Sequence, residues 1–445
     1  MQPVHRRRLL FIAHEFPPSA GGGVQRLSKY ARYLGDLGWD VQVLSADPIP
    51  GRPRDTTLLD QVAGISVARR PARHISAVIA GLLRPLKRFK GVMPGAVAAG
   101  ASSGVPGGSE GQRPLSGRIA RWLAVPDDAV LWARGLPRLI ARMHRETPFS
   151  AILASGPPYS ALIAAVRAGS HLGIPVVADM RDPWSGNLHA RWPTAWHQRR
   201  FHALEREVMS RVAAVTAVSR VIADEALEYG AVRATVIPNG FDAGDMPAWT
   251  PDQAAPLRVA FLGQFSPKVA DPAGFFAGVA AAREIEPLLE GMRIDVIGAS
   301  APWTVAAVHD TGLDDVVVFH GFRPYQEALK MVSAADAGLI VLADVPGARG
   351  VYSGKLFDYL GIGIPVLLYG PPEGAAADLL EAAGCGVVVP YGDPSAVTET
   401  LVRMARAKSS GEPLCHPVDA VRATYDRREQ VGVLSRILED VIQSS

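Results

Sequence analysis

The sequence predicts an α/β architecture of two doubly wound parallel-sheet domains, and three observations carry that prediction. Short β-branched runs alternate with longer stretches of helical apolar spacing along nearly the whole chain, the pattern of parallel βαβ units. Those runs fall into two sets of six, separated by a polar, proline-rich stretch from Met246 to Pro256 that has no apolar period. At 445 residues the chain also exceeds what one core accommodates, so two domains are expected on size alone.

The first set of strands comprises Leu9 to Ala13, Val41 to Ser45, Ala151 to Ala154, Pro175 to Ala178, Ala214 to Val218 and Ala234 to Ile237. The second comprises Arg258 to Leu262, Arg293 to Ile297, Val316 to Phe319, Gly338 to Leu342, Pro365 to Leu368 and Gly386 to Val389. The turn Pro238-Asn239-Gly240-Phe241-Asp242 leads into the linker. The expected division is therefore an N-terminal domain over 1–250, a C-terminal domain over 251–415 and a helical segment over 416–445. Within the last, Val421 to Ile442 is apolar at helical spacing.

Val92 to Gly117 is crowded with Gly, Ser, Ala and Pro, can bury little surface, and is expected to be a mobile loop. Just before it, His74 to Leu83 is apolar, and Arg84 to Lys90 is basic with interleaved apolar residues. An amphipathic helix touching an anionic membrane face and a surface loop over the first domain both fit, because Pro85 weakens a continuous helix.

A hydrophobic content of 48% belongs to a soluble globular protein. The net charge of +3 hides an asymmetry: residues 1–180 carry 23 Lys/Arg against 11 Asp/Glu, whereas residues 251–445 carry 15 against 24. A basic first half suits a phosphate-bearing substrate, a membrane surface or nucleic acid, and equally a solvated Arg-rich surface. No aromatic-basic stacking pattern or DNA-reading motif is present, so nucleic acid is not an expected partner. Cys385 and Cys415 are too few for a disulfide framework and lack metal-ligand spacing, which fits a reducing cytoplasmic location. Arg6-Arg7-Arg8 precedes an apolar run too short for a signal peptide, and no stretch approaches the roughly 18 apolar residues of a membrane span.

Four stretches carry candidate chemistry. After the first strand, Gly21-Gly22-Gly23 opens a helix, where backbone N–H groups and the dipole suit a diphosphate; a plain strand-to-helix loop fits as well. Ser155 to Ser160 and Asp179-Met180-Arg181-Asp182-Pro183-Trp184 follow strands at the edge where doubly wound sheets bind ligands, although a carboxylate–Arg–carboxylate cluster also reads as a structural ion pair. Gly263 to Lys268 follows the first strand of the second set, with Lys268 placed toward a phosphate; His320-Gly321-Phe322-Arg323-Pro324 follows the third in the same way. Lastly Ser353, Gly354 and Lys355 start a helix with Asp358 one turn in, a phosphate cradle or a carboxylate answering the helix dipole.

In these motifs, and in their order along nearly the whole chain, the sequence resembles glycosyltransferase family 4, particularly its bacterial surface-polysaccharide branch. The landmarks are the Gly21-Gly22-Gly23 turn, Asp179 to Trp184, Val236 to Asp242 and Ser353 to Leu360. The resemblance implies a GT-B fold of two Rossmann-like domains facing across a cleft, with the nucleotide sugar mainly on the second domain, the acceptor on the first and the last helix crossing back. It implies that Gly21, Gly22, Gly23, Gln264, Arg323, Ser353, Gly354, Lys355 and Asp358 bind the donor, with Asp358 on the ribose hydroxyls. Lys268, Arg181 and Asp182 become the catalytic candidates. Gly350 stands where the family's first motif Glu would be, and Arg181-Asp182 where a His-Asp pair is common.

The implied reaction is retaining transfer of a sugar from a nucleoside diphosphate to an acceptor hydroxyl on a glycan or lipid-linked acceptor, in polysaccharide or glycolipid biosynthesis. Negative charge growing on the leaving phosphate calls for fixed donors, and no metal or other cofactor is expected. The alternatives are a nucleotide-sugar epimerase of the same architecture and a non-catalytic module that binds anionic surfaces.

Overall fold

A computed structural model describes residues 7–88, 119–120, 122–186, 192–267, 269–345 and 352–444. The expected loop Val92 to Gly117, the candidate Lys268 and the position Gly350 lie outside them. The chain divides into two compact units, Met1–Pro238 with Gln430–Ser445 and Asn239–Glu429.

Among the described residues, the first unit holds strands β1 (Arg8–Ile12), β2 (Asp40–Ala46), β3 (Ser66–Arg70), β4 (Ala151–Gly156), β5 (Val176–Met180), β6 (Ala214–Ala217) and β7 (Ala234–Val236). They form one parallel sheet in the order β3-β2-β1-β4-β5-β6-β7. β1 and β4 are buried end to end or nearly so, as expected of strands covered on both faces. One face packs the helices Leu136–Glu146, Tyr159–Leu172 and Ala195–Met209 through Ile140, Leu162, Ala165 and Val208. The other packs the helix Gly22–Asp36 through Leu27, Tyr30 and Leu34.

The second unit repeats the plan with β8 (Arg258–Leu262), β9 (Arg293–Ile297), β10 (Val317–Gly321), β11 (Ala337–Val341), β12 (Val366–Gly370) and β13 (Gly386–Pro390). Their order is β10-β9-β8-β11-β12-β13, again parallel. In each sheet the order reverses beside its first strand, between β1 and β4 and between β8 and β11. Crevices for ligands open at such reversals, at the carboxyl ends of the strands.

The domain limits differ from 250 and 416. Phe241 and Met246 lie where a Cβ on Gly361 would have to go, and Trp249 Nε1 donates to the Ala335 carbonyl at 2.8 Å, so the linker is packed as part of the second unit. Arg422 likewise holds the Leu360 and Gly361 carbonyls, keeping residues 419–429 there. The apolar period Val421 to Ile442 is two helices, Asp419–Ala423 and Arg427–Gln443. They part because Phe241 takes up the backbone between them, donating to the Tyr425 carbonyl and accepting from Arg427 N–H. The longer helix sets Val431, Leu434, Leu438 and Val441 into the core of the first unit, and Trp39 Nε1 donates to Ser435 Oγ at 2.9 Å.

His74 to Lys90 does not begin as a surface loop. The backbone is helical over Ile75–Arg88, with Ile75 and Ile79 packed on Ala120; one proline removes one backbone bond, and this packing outweighs it. No helix among the described residues is long and apolar enough to cross a membrane.

Candidate functional site

In the first unit the site grows from the loop after β1. Gly21 caps the helix Gly22–Asp36 with φ 142, a left-handed conformation that a side chain would strain. Gly23, one turn-step inside, faces Arg181: a Cβ there would overlap the Arg181 Nη1 atom. Two motifs far apart in sequence thus meet, and a guanidinium stands over a helix start whose N–H groups are themselves positive. That pairing is unfavourable until an anion enters between them.

Arg181 is held for this. Its Nε donates to Ser155 Oγ at 3.0 Å, Nη2 donates to the Pro157 carbonyl, and its backbone N–H donates to the Gly156 carbonyl at 2.9 Å. Ser155 Oγ in turn donates to Asp179 Oδ2 at 2.8 Å. Asp179 itself is fully buried in β5 and pairs with Arg26 at 2.9 Å, with Thr216 Oγ1 donating at 3.0 Å. Burial alone would raise the Asp179 pKa, but Arg26 and the hydroxyl donors outweigh it and hold the carboxyl below its ordinary range. Arg26 also donates to the Ile237 and Pro238 carbonyls, tying β5 to the chain after β7. Asp179 is therefore the structural half of the predicted cluster, and its partner is Arg26, not Arg181.

Asp182 follows on the loop, half-buried, and burial raises its pKa while Arg181 opposes the shift. Behind it Trp184 stacks on Tyr159 at 4.5 Å, and the Tyr159 hydroxyl donates to the Pro183 carbonyl at 2.7 Å, fixing the loop's path. His14, two residues after β1, is the residue that sequence reasoning missed here. It is buried edge-on to Trp132 at 4.7 Å, its Nε2 has no hydrogen-bond partner among the described residues, and burial, aided by His74, Arg52 and Arg181, drives its pKa down to about 3. A neutral imidazole beside Arg181 can accept or donate one hydrogen bond to a hydroxyl without adding charge.

In the second unit the corresponding edge lies between β8 and β11. The Tyr359 hydroxyl accepts from Leu262 N–H at 2.9 Å and sits against the Ala260 and Leu339 carbonyls, while its ring occupies the place of a Cβ on Gly338. This brace seats the helix Gly354–Ile362 on the sheet. Ser353 precedes it without a side-chain cap bond, leaving the first N–H groups uncapped by a side chain; Gly354 is exposed with open space around it. Lys355 reaches back to Gly263 (φ 112), its Nζ 3.7 Å from the Phe261 ring centroid, and burial lowers its pKa to about 7. No carboxylate among the described residues pairs with it.

One turn on, Asp358 accepts from the Tyr325 hydroxyl at 2.6 Å; burial raises its pKa to about 6, against Tyr325 and Arg427. Tyr325, at the start of the helix Tyr325–Ser333, is the second residue that sequence reasoning missed. Arg323, two residues earlier, is instead turned to Glu327 at 3.4 Å. Gln264 is exposed on the loop after β8. The structure so groups Gly263, Ser353, Lys355, Asp358 and Tyr325, and it separately groups Gly23, Arg181 and His14.

Residues 21–240 match the family model described as the glycosyl transferase 4-like domain. The protein provisionally named colanic acid biosynthesis glycosyltransferase WcaL, from Escherichia coli K12, is 26% identical over 200 residues, which is 43% of this chain and 46% of that protein. The chain thus spans about half the length of that curated relative. Among solved structures, Anabaena HepE in complex with UDP superposes with a TM-score of 0.61 at 16% identity, covering 97% of this chain and all of that one. A protein provisionally named UDP-N-acetylglucosamine 2-epimerase from Listeria monocytogenes gives 0.57 at 10% identity, covering 99% and 98%. Two Rossmann-like sheets of the same strand order and whole-length likeness to HepE show the GT-B fold, and the glycosyl transferase 4-like domain matches just under half of the chain, most of the first unit.

Proposed function

We propose that the protein is a retaining glycosyltransferase that moves a sugar from a nucleoside diphosphate to an acceptor hydroxyl in surface-polysaccharide or glycolipid biosynthesis. The observation that carries this reading is the second unit's edge: a Lys355 that pairs with no carboxylate among the described residues, at a helix start without a side-chain cap bond, beside the Asp358–Tyr325 pair. A diphosphate supplies the charge Lys355 lacks, and a ribose supplies hydroxyls for the Asp358 oxygen that Tyr325 leaves open. HepE was solved with UDP, so a uridine diphosphate sugar is the first donor to test.

In the proposed step the bond from the sugar's anomeric carbon to the diphosphate oxygen breaks, and the electron pair leaves with the phosphate. The acceptor oxygen bonds the same face, and its proton passes to the departing phosphate oxygen. On the second unit Lys355 and the helix start stabilise the charge that develops, the largest single lever such a site has, and on the first unit Arg181 with the Gly21 to Gly23 turn holds an anionic substrate group. Lys268, outside the described residues, would add a further cation. Asp182 and the neutral His14 orient the acceptor hydroxyl. We place the acceptor on a lipid-linked glycan, met at a membrane surface by the basic first unit.

The test is incubation of the protein with labelled sugar nucleotides, alone and with lipid extracts. Label passing to lipid only in the presence of extract supports transfer. An altered free sugar without extract would make the protein an epimerase, and no turnover with salt-sensitive binding to anionic surfaces would make it a non-catalytic module. Donors can be ranked first by thermal shift, since a ligand of the folded state alone raises its apparent stability.

A further inference from the structure

We infer that a pocket on the helical face of the first unit, apart from both sheet edges, is a binding site for the phosphate headgroup of an anionic membrane lipid. The pocket has a volume of about 250 Å³. Its floor is apolar, from Pro126, Ile163 and Leu204, and its rim carries Arg134, Arg167 and Arg200. The placement follows from helical spacing. On the helix Ala195–Met209, Trp196, Arg200 and Leu204 recur every four residues, and on Tyr159–Leu172, Ser160, Ala164 and Arg167 share a face, so two helices turn these residues toward one hollow.

The charge in the hollow is not answered from within. No Asp or Glu is among the described residues that line it. Arg167 approaches Glu207 at 3.6 Å, an exposed contact outside the pocket, while Arg134 and Arg200 have no carboxylate partner among the described residues. The carboxylate nearest the lining in bonding, Asp127, is already occupied: Ser160 N–H and Oγ donate to it at 2.8 and 2.7 Å, and Ala129 N–H at 3.1 Å. Three guanidiniums around an apolar floor match an anion attached to a chain better than a free ion, which needs no floor. The volume is below the about 300–1,000 Å³ of sites that engulf a whole small molecule, and it fits a headgroup with its first methylenes.

The rim supplies the other half of a membrane contact. Trp196 is 57% exposed, and Trp122 and Leu123 are also exposed. Both tryptophan rings flank His197, at 5.0 and 5.1 Å, and Val125 and Pro126 continue from Leu123 into the pocket wall. Exposed indoles beside arginines are the composition of surfaces that lie at a lipid interface. This inference extends the membrane part of the proposed function and is independent of the sugar-transfer part.

The experiment is sedimentation of the full chain with vesicles of phosphatidylcholine alone and of phosphatidylcholine with phosphatidic acid. The variants are R134Q/R167Q/R200Q and, as an equal loss of charge on the neighbouring helix, R138Q/R142Q/R145Q. Each basic residue at an anionic surface multiplies partitioning by about fivefold. The pocket variant is therefore expected to lose about a hundredfold on the phosphatidic acid vesicles, and the control variant less than about tenfold. W196S is expected to weaken pelleting without changing its salt dependence. Equal losses in the two triple variants, or equal pelleting on both vesicle types, would overturn the proposal. So would stabilisation of the wild type by inorganic phosphate with no pelleting on either vesicle, which would mark a soluble-anion site. UDP-glucose binding, measured on the same samples, reports on the transferase reading separately: its absence throughout, with pelleting intact, would sink that reading alone.

Discussion

The two sheet edges are built on the same strand order but handle charge in opposite ways. In the first unit, Arg26 and Asp179 neutralise each other in the interior and are further held by Ser155, Thr216 and two backbone carbonyls. In the second, Lys355 and Asp358 are half-buried without neutralising each other, and both pKa values are pushed toward neutrality, to about 7 and about 6. The first edge is a finished scaffold that aims Arg181. The second is unfinished and gains most when a ligand completes it.

Breaking the finished pair should produce the largest effect. Arg26→Met leaves Asp179 buried without its cation, and we expect a loss of about 3–5 kcal/mol of stability in urea denaturation. A loss below about 1 kcal/mol would mean that the hydroxyl donors alone suffice, and the contrast between the edges would fail.

Lys355→Met should do the reverse to stability and far more to binding. The Lys355 pKa of about 7 in the folded chain lies below its ordinary 10.5. Between those values the unfolded state holds more protons, so this group makes stability rise with pH there, and the variant lacks that slope. Nucleotide diphosphate binding should weaken by about 2 kcal/mol, roughly thirtyfold, as expected for a lost charged hydrogen bond. In the wild type, affinity should fall as pH rises above about 7, where Lys355 loses its proton, and as pH falls below about 6, where Asp358 gains one. Lys355→Met should flatten the upper limb and Asp358→Asn the lower, as read by calorimetric titration; limbs that persist in both variants would assign them to other groups.

The smallest change tests whether the finished edge serves aim. Gly23→Ala puts a methyl into the Arg181 guanidinium. Alanine's better helix propensity, about 1 kcal/mol, should offset much of the strain, leaving stability nearly unchanged while transfer slows by about tenfold. Unchanged turnover would remove Arg181 from the reaction.

Most of the architecture was legible because buried parallel strands announce themselves as apolar runs. β3, Ser-Val-Ala-Arg-Arg, did not: it is a sheet edge with half-exposed residues, and nothing in its composition separates it from a loop. The glycine turn and Asp179 to Trp184 were visible as motifs, yet their contact through Gly23 and Arg181 was not, because spacing along the chain does not report distance across a sheet. The same limit hid the partnership of Arg26 with Asp179. His14 and Tyr325 went unmarked for another reason: their significance lies in burial and in a single hydrogen bond, neither of which a residue's identity discloses.

The return of Gln430–Ser445 into the first unit also governs the order in which the protein can be made. The groove that Val431, Leu434, Leu438 and Val441 fill is formed by residues near the start of the chain, but about 190 residues of the second unit are synthesised in between. At about 5–20 residues per second the ribosome leaves that groove open for roughly 10–40 s. During this interval Leu27, Tyr30, Leu34 and Trp39 have no cover from the last helix, so the nascent first unit is a natural client for a chaperone. A chain stalled or cut before residue 430 would keep that exposed surface permanently, however complete its second unit.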